Sequence, residues 1–144
     1  MKTIALICII LAIPATAPPR VTATCKAVRQ ALVHASQRTA VPLSVVYALG
    51  YTESRCKPAA IGRHGEWGLT QVMPDSSLFC PRCKWWVMFG PVCGTDPFNP
   101  YVNACVGAHI LRHHYARTGC WASAILAYQG GDSVYLRTFQ EALQ

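Results

Sequence analysis

The 144-residue chain contains 6 Asp and Glu side chains, so the groups able to move a proton can be weighed one at a time: Glu53, Glu66, Asp75, Asp96, Asp132 and Glu141. Of these, only Glu53 lies on an apolar helical face and leads into a loop fit to receive a ligand. Val46, Gly50 and Glu53 follow one another at spacings of four and three, so the acid continues the inward stripe of its helix. A carboxyl group drawn partly out of water has its charged form disfavoured and its pKa raised, as a general acid working near neutral pH requires. Downstream, Gly62, Gly65 and Gly68 let the backbone turn and a ligand approach closely, and the apolar run Leu69 to Met73 presents Gln71 as its one amide. Two groupings could hold a metal, but both lack the full ligand pattern of a zinc site. Cys80-Pro81-Arg82-Cys83 with Cys93 is a single C-x-x-C without a second ligand pair, and His109 and His113 are four apart without a third partner.

The elements that must carry these groups are mainly helical. Pro42 in a first turn and Pro58 beyond the end predict a helix from about Pro42 to about Arg55. Val28, Ala31, Leu32 and Ala35 predict another from about Cys25 to Arg38. Ala104, Gly107, Ala108, Leu111 and Tyr115 mark one face of a helix from about Tyr101 to Arg117, closed by Gly119, and Trp121 to Tyr128 forms a further apolar helix before Gly130-Gly131. No stretch alternates with period 2 for long enough to make a sheet, and a short β-hairpin near residues 62 to 72 stays open. Residues 75 to 98 hold three cysteines among Gly and Pro breaks and read as a stapled loop or short helix pair. Within it, Trp85-Trp86 either covers the core or stacks on a ligand at the cleft edge.

Lys2, the apolar stretch Ile4 to Ile13 and Val21-Thr22-Ala23 predict a signal peptide over 1–23, leaving one domain over 24–144. The apolar stretch is about half the length that a membrane span needs. The net charge of +7 falls to +5 when Lys2 and Arg20 leave, since 11 basic residues then face 6 acidic ones. That balance suits an anionic polymer or serves solubility alone. The basic residues are scattered and form no nucleic-acid-binding run. Loss of Cys8 leaves seven cysteines, which in an exported chain predicts disulfides and one unpaired thiol.

Three motifs in order resemble the soluble lytic transglycosylase family: Glu53-Ser54 with Pro58-x-Ala60 and Gly65-x-x-Gly68-Leu69-x-Gln71-x-Met73-Pro74; Asn99-Pro100-x-x-Asn103-x-x-x-Gly107-Ala108-x-x-Leu111; and Ala127-Tyr128-Gln129-Gly130-Gly131. The match runs from about Cys25 to about Tyr135. It implies a lysozyme-like (goose-type) single domain with the stapled loop as an insertion. It also implies a peptidoglycan lyase that cleaves the MurNAc-GlcNAc β-1,4 bond with 1,6-anhydroMurNAc formation, needs no cofactor or metal, and works in the periplasm or outside the cell. Glu53 would be the catalytic acid and base. Gln71, Tyr128, Ser54, Met73 and His64 would be substrate-side residues, with Tyr128 orienting Glu53 or the sugar through its hydroxyl and Ser54 serving more to cap and pack than to react. Small secretion- and conjugation-associated members imply a Cys25–Cys105 bridge and an apparatus as partner. Gly62 stands where many members carry serine, Thr70 replaces methionine and Gln129 replaces asparagine, and His64 is the candidate substitute donor. A hydrolase with Glu66 or Asp75 as second carboxylate, and a non-catalytic wall-binding subunit, are the competing expectations. The usual glycosidase sets two carboxylates about 5 Å apart for retention or about 6.5 to 9.5 Å apart for inversion.

Overall fold

The computed structural model describes Cys8 and residues 13–144. Residues 1–7 and 9–12 of the expected signal peptide, including Lys2 and nearly all of its apolar stretch, lie outside the described residues. Among residues 13–144 the helices in chain order are α1 (Pro19–Thr24), α2 (Arg29–Thr39), α3 (Leu43–Ser54), α4 (Trp85–Cys93), α5 (Pro100–Thr118), α6 (Trp121–Gln129) and α7 (Ser133–Leu143), with a 3-10 turn over Lys26–Val28. Among the described residues there are isolated β-bridges but no strand, and no helix is long and apolar enough to cross a membrane.

Helix α3 is the centre of the molecule. Every residue from Ser44 to Gly50 is buried, as expected of a helix enclosed by its neighbours rather than packed along one stripe. It lies against α1, α2 and α7, while α5 packs on α2, α4 and α6. Pro42 precedes the helix as its N-cap residue with extended backbone, and Arg55 ends it in the left-handed conformation. The Cys56 N–H then donates to Gly50 O at 3.1 Å, closing the end of the helix and turning the chain into the loop. Val21 of α1 is fully buried against this core, and Ser44 Oγ donates to Pro14 O at 2.6 Å. The stretch assigned to the end of the leader is therefore packed onto α3 in this chain.

The expected hairpin near residues 62 to 72 reduces to bridges that pair Ile61 with Trp67 and Trp67 with Val72. The 75–98 insertion forms a run of turns followed by one helix. Asp75 accepts from the backbone N–H groups of Trp86 and Val87 at 3.0 and 2.9 Å, supplying the acceptors that the first turn of α4 needs. Asn99 caps α5 through Tyr101 N–H and Val102 N–H, and Asp132 caps α7 through Val134 N–H.

The cysteine pairing corrects the family-based expectation. Cys25 is bonded to Cys56 and Cys105 to Cys93, with Cα separations of 5.2 and 5.7 Å. The reason is positional. The end of α1 lies over the C-terminus of α3, where Cys56 emerges, whereas Cys105 sits on the side of α5 that faces α4. Cys80 is bonded to Cys83 and Cys8 to Cys120. Loss of residues 1–23 would leave Cys120 as the odd thiol.

Candidate active site

The last turn of α3 delivers Glu53 to a cavity of about 430 Å³, also lined by Glu66, Gln71 and Met73 of the loop, Phe79 and Trp85 of the insertion, and Tyr128 of α6. Burial pushes the Glu53 carboxyl up from 4.5 to about 8. The Tyr135 hydrogen bond pulls it down, and the nearby Glu66 charge adds to the rise. Loss of hydration outweighs the hydrogen bond, so Glu53 holds a proton at neutral pH. The Tyr135 hydroxyl lies 2.5 Å from Glu53 Oε1 and is the side-chain donor that fixes this carboxyl. Burial, together with the Glu53 charge, raises the phenol of Tyr135 well above its ordinary range, so it remains a donor.

Tyr128 does different work. Its hydroxyl donates to Thr70 O at 2.7 Å and ties α6 to the cavity loop, while its ring faces the cavity. Burial raises its phenol beyond the titratable range. Gln71 has left-handed backbone, φ 53°, and its Nε2 donates to Gly68 O and Ala60 O at 2.9 and 3.3 Å. The amide nitrogen therefore holds the loop together, and the side chain still lines the cavity. Ser54 is buried. Its Oγ donates to Leu69 O at 2.7 Å and accepts from Lys57 N–H at 3.1 Å, which makes it a brace behind the acid rather than part of the cavity wall.

Glycine at position 62 has a geometric cause. A Cβ built there would lie 2.0 Å from Glu66 Oε2 and 2.4 Å from Gln71 Oε1, far inside contact distance, so the space beside Gly62 is taken by the carboxylate. Glu66 Oε2 accepts from His64 N–H at 3.0 Å, and its other oxygen lies 3.4 Å from His64 Nδ1. His64 accordingly attends Glu66 and packs against Phe79, with ring centroids 4.6 Å apart and the planes tilted by 43°. The second acid named from the sequence, Asp75, is committed to capping α4, whereas Glu66 shares the cavity with Glu53.

The loop that carries Gln71 is held from below by Asn103. The Asn103 Oδ1 accepts from Thr70 N–H and Thr70 Oγ1, both at 2.7 Å, and Nδ2 donates to Trp67 O and Pro97 O at 2.9 Å. Gly107 permits this approach: a Cβ there would meet Thr70 Oγ1 at 2.2 Å. Among the described residues the one cluster with metal-ligand geometry is Cys93, Cys105 and His109, and two of its three ligand atoms are the sulfurs of a disulfide. Both of the paired tryptophans pack against the core cluster of Val72, Val106 and Ile110, and Trp85 in addition lines the cavity.

Tyr135 is the site residue that the motifs did not supply. It lies on a helix with Leu136, Phe139, Ala142 and Leu143 buried, a period legible in the sequence, but the contact to Glu53 spans 82 positions. The family model described as "Transglycosylase SLT domain" matches residues 30–143. No curated protein matches the chain.

Proposed function

Because the chain belongs to the transglycosylase SLT domain family, whose members act on peptidoglycan, we propose that it is a lytic transglycosylase in which Glu53 serves first as acid and then as base. The supporting observation is a carboxyl group held protonated at neutral pH at the floor of a ligand-sized cavity, with one phenol donating to it. In this mechanism Glu53 gives its proton to the glycosidic oxygen between MurNAc and GlcNAc as the C1–O bond breaks. The acetamido carbonyl oxygen of the MurNAc bonds to C1 and carries the positive charge. Glu53, now a carboxylate, takes the C6 hydroxyl proton while O6 displaces the acetamido oxygen from C1. A 1,6-anhydroMurNAc end results, and Glu53 is protonated again.

Met73, Gln71 and the Tyr128 ring are the walls proposed to contact the glycan, and His64 acts at one remove, through Glu66. The three disulfides that lie wholly within residues 24–144 suit a periplasmic or secreted protein. Opening the wall locally for a secretion, conjugation or phage apparatus is the role we propose for a domain this small and basic. A second reading, hydrolysis with Glu66 as the partner carboxylate, draws support from the presence of Glu66 in the same cavity. Digestion of purified sacculi followed by mass analysis separates the two. Anhydro ends, lighter by one water than hydrolysed ends, are expected, with no release by a folded Glu53→Gln variant. Hydrolysed ends, or activity of that variant within about tenfold of the parent, would overturn the proposal.

A further inference from the structure

Resting on that reading, we infer that the disulfide-stapled insertion between Asp75 and Asp96 builds an additional glycan subsite, in which Phe79 and Trp85 are stacking platforms for a β-1,4-linked N-acetylhexosamine beyond the bond addressed by Glu53. Phe79 is 65 % exposed, yet its side chain lines the same cavity as Glu53. A large ring left in water beside a ligand-sized cavity marks a surface that a ligand covers.

The ring is also held in place without being buried. Phe79 N–H donates to Ser77 Oγ at 3.2 Å, and the backbone of Ser77 bridges to Cys80. Cys80 closes on Cys83, and Asp75 anchors the turn to the start of α4. The ring also packs, at a tilt of 43°, against His64, which is itself held by Glu66. A platform fixed in this way loses little freedom when a ligand stacks on it. Trp85, at the other edge of the insertion, meets the rings of His113 and His114 edge to face with centroids 5.7 and 5.6 Å apart, and its own side chain reaches the cavity.

The charge pattern agrees with a hexosamine strand as the occupant. Both acids of the insertion are spent on backbone N–H groups, Asp75 on α4 and Asp96 on Phe98 N–H. The cavity lining on the side of the insertion then offers the aromatic side chains Phe79 and Trp85 and no acid, with Arg63 also in the lining and Glu53 and Glu66 as the cavity's two carboxyl groups. Aromatic faces suit the C–H faces of pyranose rings, and a cation suits the carboxylates that muramyl residues and their peptides carry. The surface is continuous with the cavity that holds Glu53, so one strand can occupy both.

The test uses the full chain carrying Glu53→Gln, which binds without cleaving, and titrates it with chitobiose and chitohexaose by calorimetry. The added variant Phe79→Ala alters an exposed side chain and leaves the core untouched. We expect chitohexaose affinity to fall about tenfold in Phe79→Ala and to return in Phe79→Trp, while chitobiose affinity stays the same. Equal chitohexaose affinity with and without Phe79, or no measurable chitohexaose binding at all, would overturn the subsite and leave the exposed ring to a protein partner. Failure of the underlying reading looks different: sacculus digestion by the unaltered protein would yield no anhydro ends, while the oligosaccharide titrations would still resolve the contribution of Phe79.

Discussion

Replacing Glu53 by Gln should stabilise the protein, increasingly so as the pH rises. A carboxyl with an ordinary value of 4.5 and a folded-state value of about 8 makes the folded protein bind more protons than the unfolded chain between those limits. Stability is then unaffected by this group below about pH 4.5, falls as the pH climbs from there to about 8, and is level again above. Each pH unit corresponds to about 1.36 kcal/mol, so the ionised side chain destabilises the fold by up to about 5 kcal/mol above pH 8. Water entry and relaxation around the charge reduce this, and about 2 to 5 kcal/mol is the expected range. Glutamine removes the charge and keeps an oxygen able to accept from the Tyr135 hydroxyl, so the difference between the two proteins isolates the titration.

The assay is urea denaturation of both proteins, disulfides intact, at pH 4, 6 and 8.5. Titrating groups that do not interact with Glu53 cancel in the difference. We expect the two stabilities to agree at pH 4 and to separate by several kcal/mol at pH 8.5, with the Glu53→Gln protein the more stable. A difference that does not change with pH, or one that favours the parent at pH 8.5, would refute the claim that desolvation dominates at Glu53, and with it the main physical support for its role as the acid.

Three further outcomes follow from the same geometry. Tyr135→Phe should lower kcat/KM by about 10- to 100-fold, and it should move the alkaline limb of the pH–rate profile upward, because the lost hydrogen bond is one that lowers the Glu53 pKa; an unmoved limb would mean that the phenol does not act through this carboxyl. Cys25→Ser and Cys56→Ser should each reduce stability by about 2 to 4 kcal/mol, the usual value for a bridge of this span, and the double variant should lose no more than either single one; additive losses would show that these cysteines are not partners. Lytic activity should survive EDTA, because each proposed step moves a proton through a side chain of this chain; loss of activity restored by added zinc would contradict that.

Much of the site is legible in the sequence because it is local. The end of the Glu53 helix, the Gly-rich loop and the presentation of Gln71 all fall within about 20 residues and rest on backbone propensities that adjacent residues set. The parts that escape depend on long-range packing. Cys25 pairs with Cys56 rather than Cys105 because of how α1 lies across the end of α3, a relation that no cysteine spacing encodes. Tyr135 reaches Glu53 only because α7 folds back against α3. Asp75 reads as a candidate second carboxylate until α4 begins ten residues later and places its first N–H groups on it.

The three departures from the family pattern each have a partner that explains them. Gly62, where many members carry serine, leaves room for the Glu66 carboxylate against Gln71, so a polar group returns to that part of the wall from four residues downstream. Thr70, in place of methionine, turns its hydroxyl to Asn103 in the space that Gly107 leaves open, which a longer apolar chain could neither fit nor satisfy. Gln129, in place of asparagine, accepts from Asp132 N–H at 3.0 Å and so holds the turn into α7, the helix that carries Tyr135. Each of the three is thus coupled to a second residue that supports either the cavity wall or the turn into the helix of Tyr135, whose hydroxyl is bonded to Glu53.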